Sequence, residues 1–305
     1  MLTDNLLKSA RDLSAGIVSL RRAIHAEPEL GLQTPKTMAK VREALADLPL
    51  TWRSGGNTSG QVATLEGAKP GKRVLLRGDM DALPMAEKTD LDFASKIEGR
   101  MHACGHDTHT AMLAGAARLL CAKRESITGT IDFMFQPGEE GYHGARHMLD
   151  DGLISPLPDA AFALHIMPNA PFGVLAGRPG PLLAAADQFT IKMIGQGGHA
   201  SMPHDCVDPL PGAAALVSAI QAMVTRRFNA ASAVVVTVTQ LHAGTTFNVI
   251  PDSATLNGTI RTLSKEHRIK VRDLITQTAQ STAAAHGLTA EVEIEEGFPV
   301  TICDD

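Results

Sequence analysis

Aromatic residues and cationic surface are the two things this chain has least of. It carries one Trp, one Tyr and nine Phe in 305 residues, with a formal charge of −5. That composition offers neither a basic groove nor a row of stacking platforms, so nucleic acid is excluded as a partner. No apolar run approaches the ~20 residues of a membrane span, and no membrane association is expected. The first stretch, Met1 to Gly16, carries Asp4, Lys8, Arg11 and Asp12 and lacks the apolar segment of a secretory signal. The four cysteines (Cys104, Cys121, Cys206, Cys303) are too few and too scattered for a disulfide framework. There is no internal repeat and no low-complexity tract. These absences predict a cytoplasmic protein.

What is present is ample apolar material, 44% of residues, in a length that suggests two domains at about 150 residues each. Helical spacing of Leu6, Leu7, Ala10, Leu13, Ile17, Leu20 and Ile24 predicts a first helix that Pro28 stops, and a second is expected over Thr37 to Leu48. Val62 to Leu65 and Val74 to Arg77 read as strands, the latter with the continuous apolar character of a buried parallel strand. A small-residue helix follows over Thr108 to Cys121. Strands at Gly129 to Phe135 and Asp159 to His165 come next. The expected fold is α/β, an open, mostly parallel sheet with helices on both faces.

After Pro179-Gly180-Pro181 the texture changes. Alternating strands at Gln188 to Ile194, Ala233 to Leu241, Ala254 to Ile260 and Ala290 to Glu295 enclose helices at Leu210 to Phe228 and Lys265 to His286. The order β-α-β-β-α-β is that of a ferredoxin-like α+β module. The predicted organisation is a catalytic domain over 1–181 and 293–305 with an inserted ferredoxin-like domain over 182–292.

The chemistry concentrates at strand ends. In open α/β sheets ligands bind beyond the carboxyl ends of strands. Three strands here are followed by Asp79-Met-Asp81, by Glu139-Glu140 and by His165. Between them lies Cys104-Gly-His106, a soft thiolate and an imidazole with a glycine that lets the chain bend. With Glu140 and His165 they form a mixed sulfur, nitrogen and oxygen set suited to one or two divalent transition metals, Zn, Mn, Co or Ni. Adjacent carboxylates point apart, which suggests that Glu140 ligates while Glu139 carries protons. One of Asp79 and Asp81 reads as an acceptor that fixes a ligand imidazole, and for Asp79 a helix-capping role weighs equally. His102, His109, His143 and His147 are assigned ordinary structural or solvated roles. In the second half, His199 sits in a glycine-rich turn, as a donor toward a developing oxyanion. Asn248 and Arg261 offer an amide and a guanidinium, and the latter can grip a carboxylate.

These residues stand in five ordered runs: LRGDMDALP (76–84), MHACGHDTHTAMLAGAA (101–117), FQPGEEG (135–141), GGHASMP (197–203) and FNVIPDSATLNGTIRTL (247–263). Together they resemble metallopeptidase family 20, in its hippurate hydrolase and indole-3-acetyl-amino-acid amidohydrolase branch. The resemblance implies that Cys104, His106, Glu140 and His165 are metal ligands, that Glu139 is the general base and acid, and that Asp81 is a carboxylate supporting the ligands. It implies that His199, Asn248 and Arg261 serve the substrate from the smaller domain, and that the protein is a homodimer. Members usually continue for nearly another hundred residues and supply a last histidine ligand, and by that pattern a chain ending at Asp305 is either truncated or has another element in place of the missing part. The implied reaction is metal-assisted hydrolysis of N-acyl amino acids, with carboxypeptidase, dipeptidase or N-acetyl-diaminopimelate deacetylase chemistry, or an inactive binding protein, as alternatives.

Overall fold

The structure, a computed structural model, describes residues 2–304 and divides into two compact units, residues 1–172 and 173–305. The first unit opens with α1 (Leu2–His25) and α2 (Pro35–Ala44). Pro35 presets the first turn of α2, and the buried carboxylate of Glu29 accepts from the N–H groups of Lys36 (3.1 Å) and Thr37 (2.8 Å), closing the helix start with negative charge. Strands β1 (Thr51–Ser54), β2 (Gln61–Glu66) and β3 (Lys69–Asp79) follow, then α3 (His106–Cys121), β4 (Thr128–Gln136), α4 (Gly144–Asp150) and β5 (Ala160–Ala163).

The sheet runs β1-β2-β4-β3-β5. β3 pairs in parallel with both β4 and β5, whereas β1 with β2 and β2 with β4 are antiparallel. The sheet is therefore mixed, with its parallel half at the site. Alternation divides its side chains between two faces. Ala63, Leu65, Phe133 and Phe135 pack under α2 and α3, while Val62, Leu75 and Met134 pack against Met148 of α4. Phe133 and Phe135 are fully buried, each contributing about 1.5–3 kcal/mol.

In the second unit, β6 (Gly180–Leu183) precedes β7 (Ala185–Ile194), β8 (Gly198–His199), α5 (Pro209–Arg227), β9 (Val234–Ala243), β10 (Val249–Ile250), β11 (Ser253–Thr262), α6 (Lys265–Ala285), β12 (Thr289–Glu295) and β13 (Thr301–Cys303). The main sheet, β12-β7-β11-β9, is antiparallel throughout, and α5 and α6 cover one face around Phe189, Ile191, Leu216, Leu256 and Ile275. This is the ferredoxin-like arrangement. The boundary differs from the expected one. Residues 173–181 and 293–305 belong to this unit, because β13 pairs with β6 and because buried Asp187 accepts from both Arg268 Nε (2.8 Å) and the N–H of Gly297 (3.0 Å).

Candidate metal centre

Because β4, β3 and β5 are parallel neighbours, their carboxyl ends lie side by side, Asp79 opposite Gln136 and Arg77 opposite Ala163. Asp81, the Glu139-Glu140 pair and His165 are all delivered from that edge. Opposite them, α3 begins at His106, with Gly105 as its N-cap in the left-handed region at φ 93°. A Cβ on Gly105 would stand 2.3 Å from Cδ1 of Ile166, so the turn that carries Cys104 and His106 both needs and has a glycine.

His106 is the hub. Its Nδ1 donates to the main-chain carbonyl of Asp81 at 2.8 Å, which turns Nε2 toward the acids. That nitrogen lies 3.8 Å from Glu139 Oε2 and 3.9 Å from Glu140 Oε1. Donor atoms of Cys104, His106 and His165 all fall within 4.8 Å of one another, with Cys104 Sγ 3.3 Å from His165 Nε2. Two ligands bound to one cation at about 2.0–2.3 Å and near-tetrahedral angles lie roughly 3.5 Å apart, so these separations fit shared coordination. His106 Nε2 and Glu140 Oε1 are buried polar atoms without hydrogen-bond partners, which a cation would satisfy. The residues present thus fit divalent metal, and the Cys104, His106, Glu140 and His165 set is brought together around His106. Glu139 joins it: distance alone does not separate the two glutamates.

Charge points the same way. Burial lowers the His106 pKa, but bonding to Asp81 and Cys104 and the charge of Asp79 overcome it and raise the value to about 11. The negative charge that produces this rise is charge a metal ion would also meet. Burial raises the Glu139 carboxyl above its usual range; His106 pulls it down, and Asp79 and Glu140 push it up again. Asp81 is bonded twice: its carboxylate oxygens accept from the main-chain N–H groups of Glu139 and Glu140, each at 2.9 Å. It therefore holds the paired glutamates by their backbone and His106 by its own carbonyl.

Sequence reasoning passed over His109 and Asp107. His109 is buried, donates from Nδ1 to Asp79 at 2.6 Å and accepts at Nε2 from the N–H of Ile166 at 3.0 Å. Asp107 is fully buried and accepts from Arg21 Nε (2.6 Å) and His25 Nδ1 (2.8 Å), tying the start of α3 to α1. The spacing of His106 and His109 by three along a helix was the available signal, since it sets both rings on one face.

The residues expected in the smaller domain lie in the second unit. His199 (β8) pairs opposite Val249, beside Asn248, whose carbonyl accepts from the N–H of Ala200 at 3.0 Å. Nδ1 of His199 accepts from the N–H of Ser201 at 3.2 Å, so a neutral ring carries its proton on Nε2, as a donor must. Arg261 lies near the far end of β11, in a polar hollow with Gln188, Gln240, Asn257, Glu293 and Glu295.

Residues 75–305 match the model of the peptidase family M20/M25/M40. The chain is 40% identical over 305 residues to thermostable carboxypeptidase 1 of Saccharolobus solfataricus, covering 99% of this chain and 77% of that one. It is 40% identical over 276 residues to N-acetylcysteine deacetylase of Bacillus subtilis, covering 90% and 72%. Among solved structures it superimposes on the Bacillus subtilis YXEP protein, described as a dinuclear metal binding peptidase, with a TM-score of 0.82 and 35% identity over 96% of this chain and 77% of that one. No helix among the described residues is long and apolar enough to cross a membrane. On the family match and these identities, the chain belongs to peptidase family M20/M25/M40.

Proposed function

We propose that this amide hydrolase cleaves the bond between an acyl group and an amino acid, with Cys104, His106, Glu140 and His165 holding one or two divalent ions of Zn, Mn, Co or Ni. The observation that carries the reading is the convergence of these donors on His106 at the carboxyl ends of β3, β4 and β5. When bound, the metal supplies Lewis-acid polarisation of the carbonyl and acidifies a water. Glu139, whose carboxyl is raised above its usual value, takes the proton of the attacking water and returns it to the departing nitrogen. Asp81 keeps both glutamates in place through their N–H groups. In this reading His199 donates its Nε2 proton to the oxyanion, Asn248 and Arg261 bind the amino-acid portion, and the second unit joins two copies as a homodimer in the cytoplasm.

The identity with a carboxypeptidase favours a second substrate class, peptides. Metal analysis of the purified protein, followed by hippurate, N-acetyl amino acids and dipeptides as substrates, tests both. Bound divalent metal with faster turnover of the N-acyl compounds is expected. Preference for dipeptides would replace the proposal with the peptidase reading, and a folded protein with neither metal nor turnover would make it a binding protein.

A further inference from the structure

His109 takes no part in the reaction above, yet its donor atom lies within 4.8 Å of those of Asp79 and His106, a grouping that could itself hold a cation. Its hydrogen bonds decide between ligand and support. Nε2 accepts from the main-chain N–H of Ile166, so it carries no proton and its lone pair is spoken for. The ring proton is therefore on Nδ1, which donates to Asp79 Oδ1. Neither nitrogen is left for a metal.

The bonds on either side run on to His165. Asp79 is anchored by Arg77 Nη1 at 2.6 Å, and its main-chain carbonyl accepts from Thr110 Oγ1 at 2.6 Å. Burial raises the Asp79 carboxyl, but the His109 N–H and the charges of Arg77 and His106 hold it well below the usual carboxylate range, so it remains an acceptor. Gly78 allows the helix this close: a Cβ there would meet the His109 carbonyl oxygen at 2.9 Å. On the other side, the carbonyl of Ile166 accepts from His165 Nδ1 at 2.7 Å, which frees His165 Nε2 to face Cys104. β5 is the edge strand and its ladder ends at Ala163, two residues short of His165. His165 needs another anchor, and the bond from Ile166 to His109 provides one.

We infer that His109 is a positioning residue, not a metal ligand: through Ile166 it aims His165 at the cation. The inference rests on the metal-site reading above. A 15N-labelled protein, stripped of metal and then loaded with 113Cd2+ alone, tests it directly. In long-range 15N spectra, His109 should show a protonated Nδ1 and an unprotonated Nε2 both before and after loading, with 113Cd coupling at His106 and His165. Coupling at His109, or a protonated Nε2, overturns the proposal.

Substitutions give a second arm. His109→Gln keeps an acceptor near the Nε2 position, whereas His109→Asn keeps only the donor toward Asp79. Asn and Ala should lose roughly 10–100-fold in Cd2+ affinity, the usual effect of removing a group that orients a ligand, and Gln should lose clearly less. Wild-type affinity in all three variants overturns the positioning role while leaving the metal site standing. A wild-type protein that takes up no Cd2+ overturns both.

Discussion

In the first unit, the residues that anchor the site, Asp79, Asp81, His106 and His109, are buried, Glu139 and Glu140 are half-buried and His165 is exposed, and the anchoring bonds span long stretches of chain: His106 to Asp81 over 25 positions, Glu139 to Asp81 over 58, Ile166 to His109 over 57. In the second unit, exposed His199 bonds Ser201, two positions away, and exposed Arg261 donates to Thr259 and to the carbonyl of Ile260. The difference separates two kinds of polar residue. Buried groups whose partners are set by the fold have their geometry before any substrate arrives, the condition for stabilising a transition state without reorganisation. Exposed groups with local partners exchange them readily and suit the capture of a ligand. Substitutions in the first unit should therefore disturb metal, rate and stability together or in defined pairs, and those in the second should touch substrate binding alone.

The largest effect is expected at Glu139. Glu139→Gln keeps the main-chain N–H that Asp81 holds but removes the base, so turnover should fall by roughly 10²–10⁴-fold while metal content stays at the wild-type level. Steady-state kinetics with metal analysis of the same sample checks both halves. Unimpaired turnover would take the proton-carrying role away from this residue.

Next is a stability effect at His102, buried with neither ring nitrogen bonded to the protein. Burial, helped by the positive charges of His25 and His106 and only partly opposed by Asp107 and Asp81, lowers its pKa from 6.5 to about 4. The unfolded chain thus binds a proton between those values that the folded one refuses. Stability conferred by the neutral ring is intact above pH 6.5 and is lost as pH falls toward 4, by roughly 3 kcal/mol at 1.36 kcal/mol per unit. His25 works in the opposite sense. Bonding to Asp107 raises its pKa against the cost of burial, with Glu87 adding to the rise, so its contribution is complete below pH 6.5 and fades as pH climbs through its folded value. Denaturant melts of wild type and His102→Leu at pH 7 and pH 4.5 isolate the first term. The variant should lose less stability on acidification, and equal losses would show that the His102 ring is hydrated in the fold.

Asp81→Asn should come third. An amide can accept from only one of the two N–H groups that the carboxylate now takes, and its own NH2 then faces the other. Metal affinity or turnover should drop roughly 10–100-fold, measurable by competition with a chelator. A drop in turnover at constant metal affinity would mean that Asp81 serves Glu139 more than Glu140.

The sequence made the strand ends legible because side-chain chemistry and apolar runs coincide there, and the order of the second unit was legible because half-buried strands alternate. The pairing of β6 with β13 was not, since strands of four and three residues carry too little pattern, and it shifted the domain boundary. β1 escaped for the same reason. The hold of Asp81 on the paired glutamates was not legible, because a carboxylate that accepts from backbone N–H groups leaves no partner side chain to find. His109 was hidden differently: its two partners are an aspartate 30 positions back and a backbone N–H 57 positions ahead, and no spacing rule joins them.

The smallest effect, and the sharpest probe of the contrast between units, is expected at Arg261. Its side chain is exposed and its bonds stay within two residues, so Arg261→Ala should change folding stability by no more than about 0.5 kcal/mol. Metal affinity should not move. If the guanidinium binds the carboxylate of the amino-acid portion, KM for an N-acyl amino acid should rise roughly tenfold, about 1.4 kcal/mol, while KM for the matching C-terminal amide stays where it was. A comparable rise for both substrates would indicate that the variant alters the sheet rather than a contact with charge, because a neutral amide has no anion to lose. A fall in metal affinity would be more damaging still, since it would tie the exposed, locally bonded residue to the buried network and erase the distinction between the two regions.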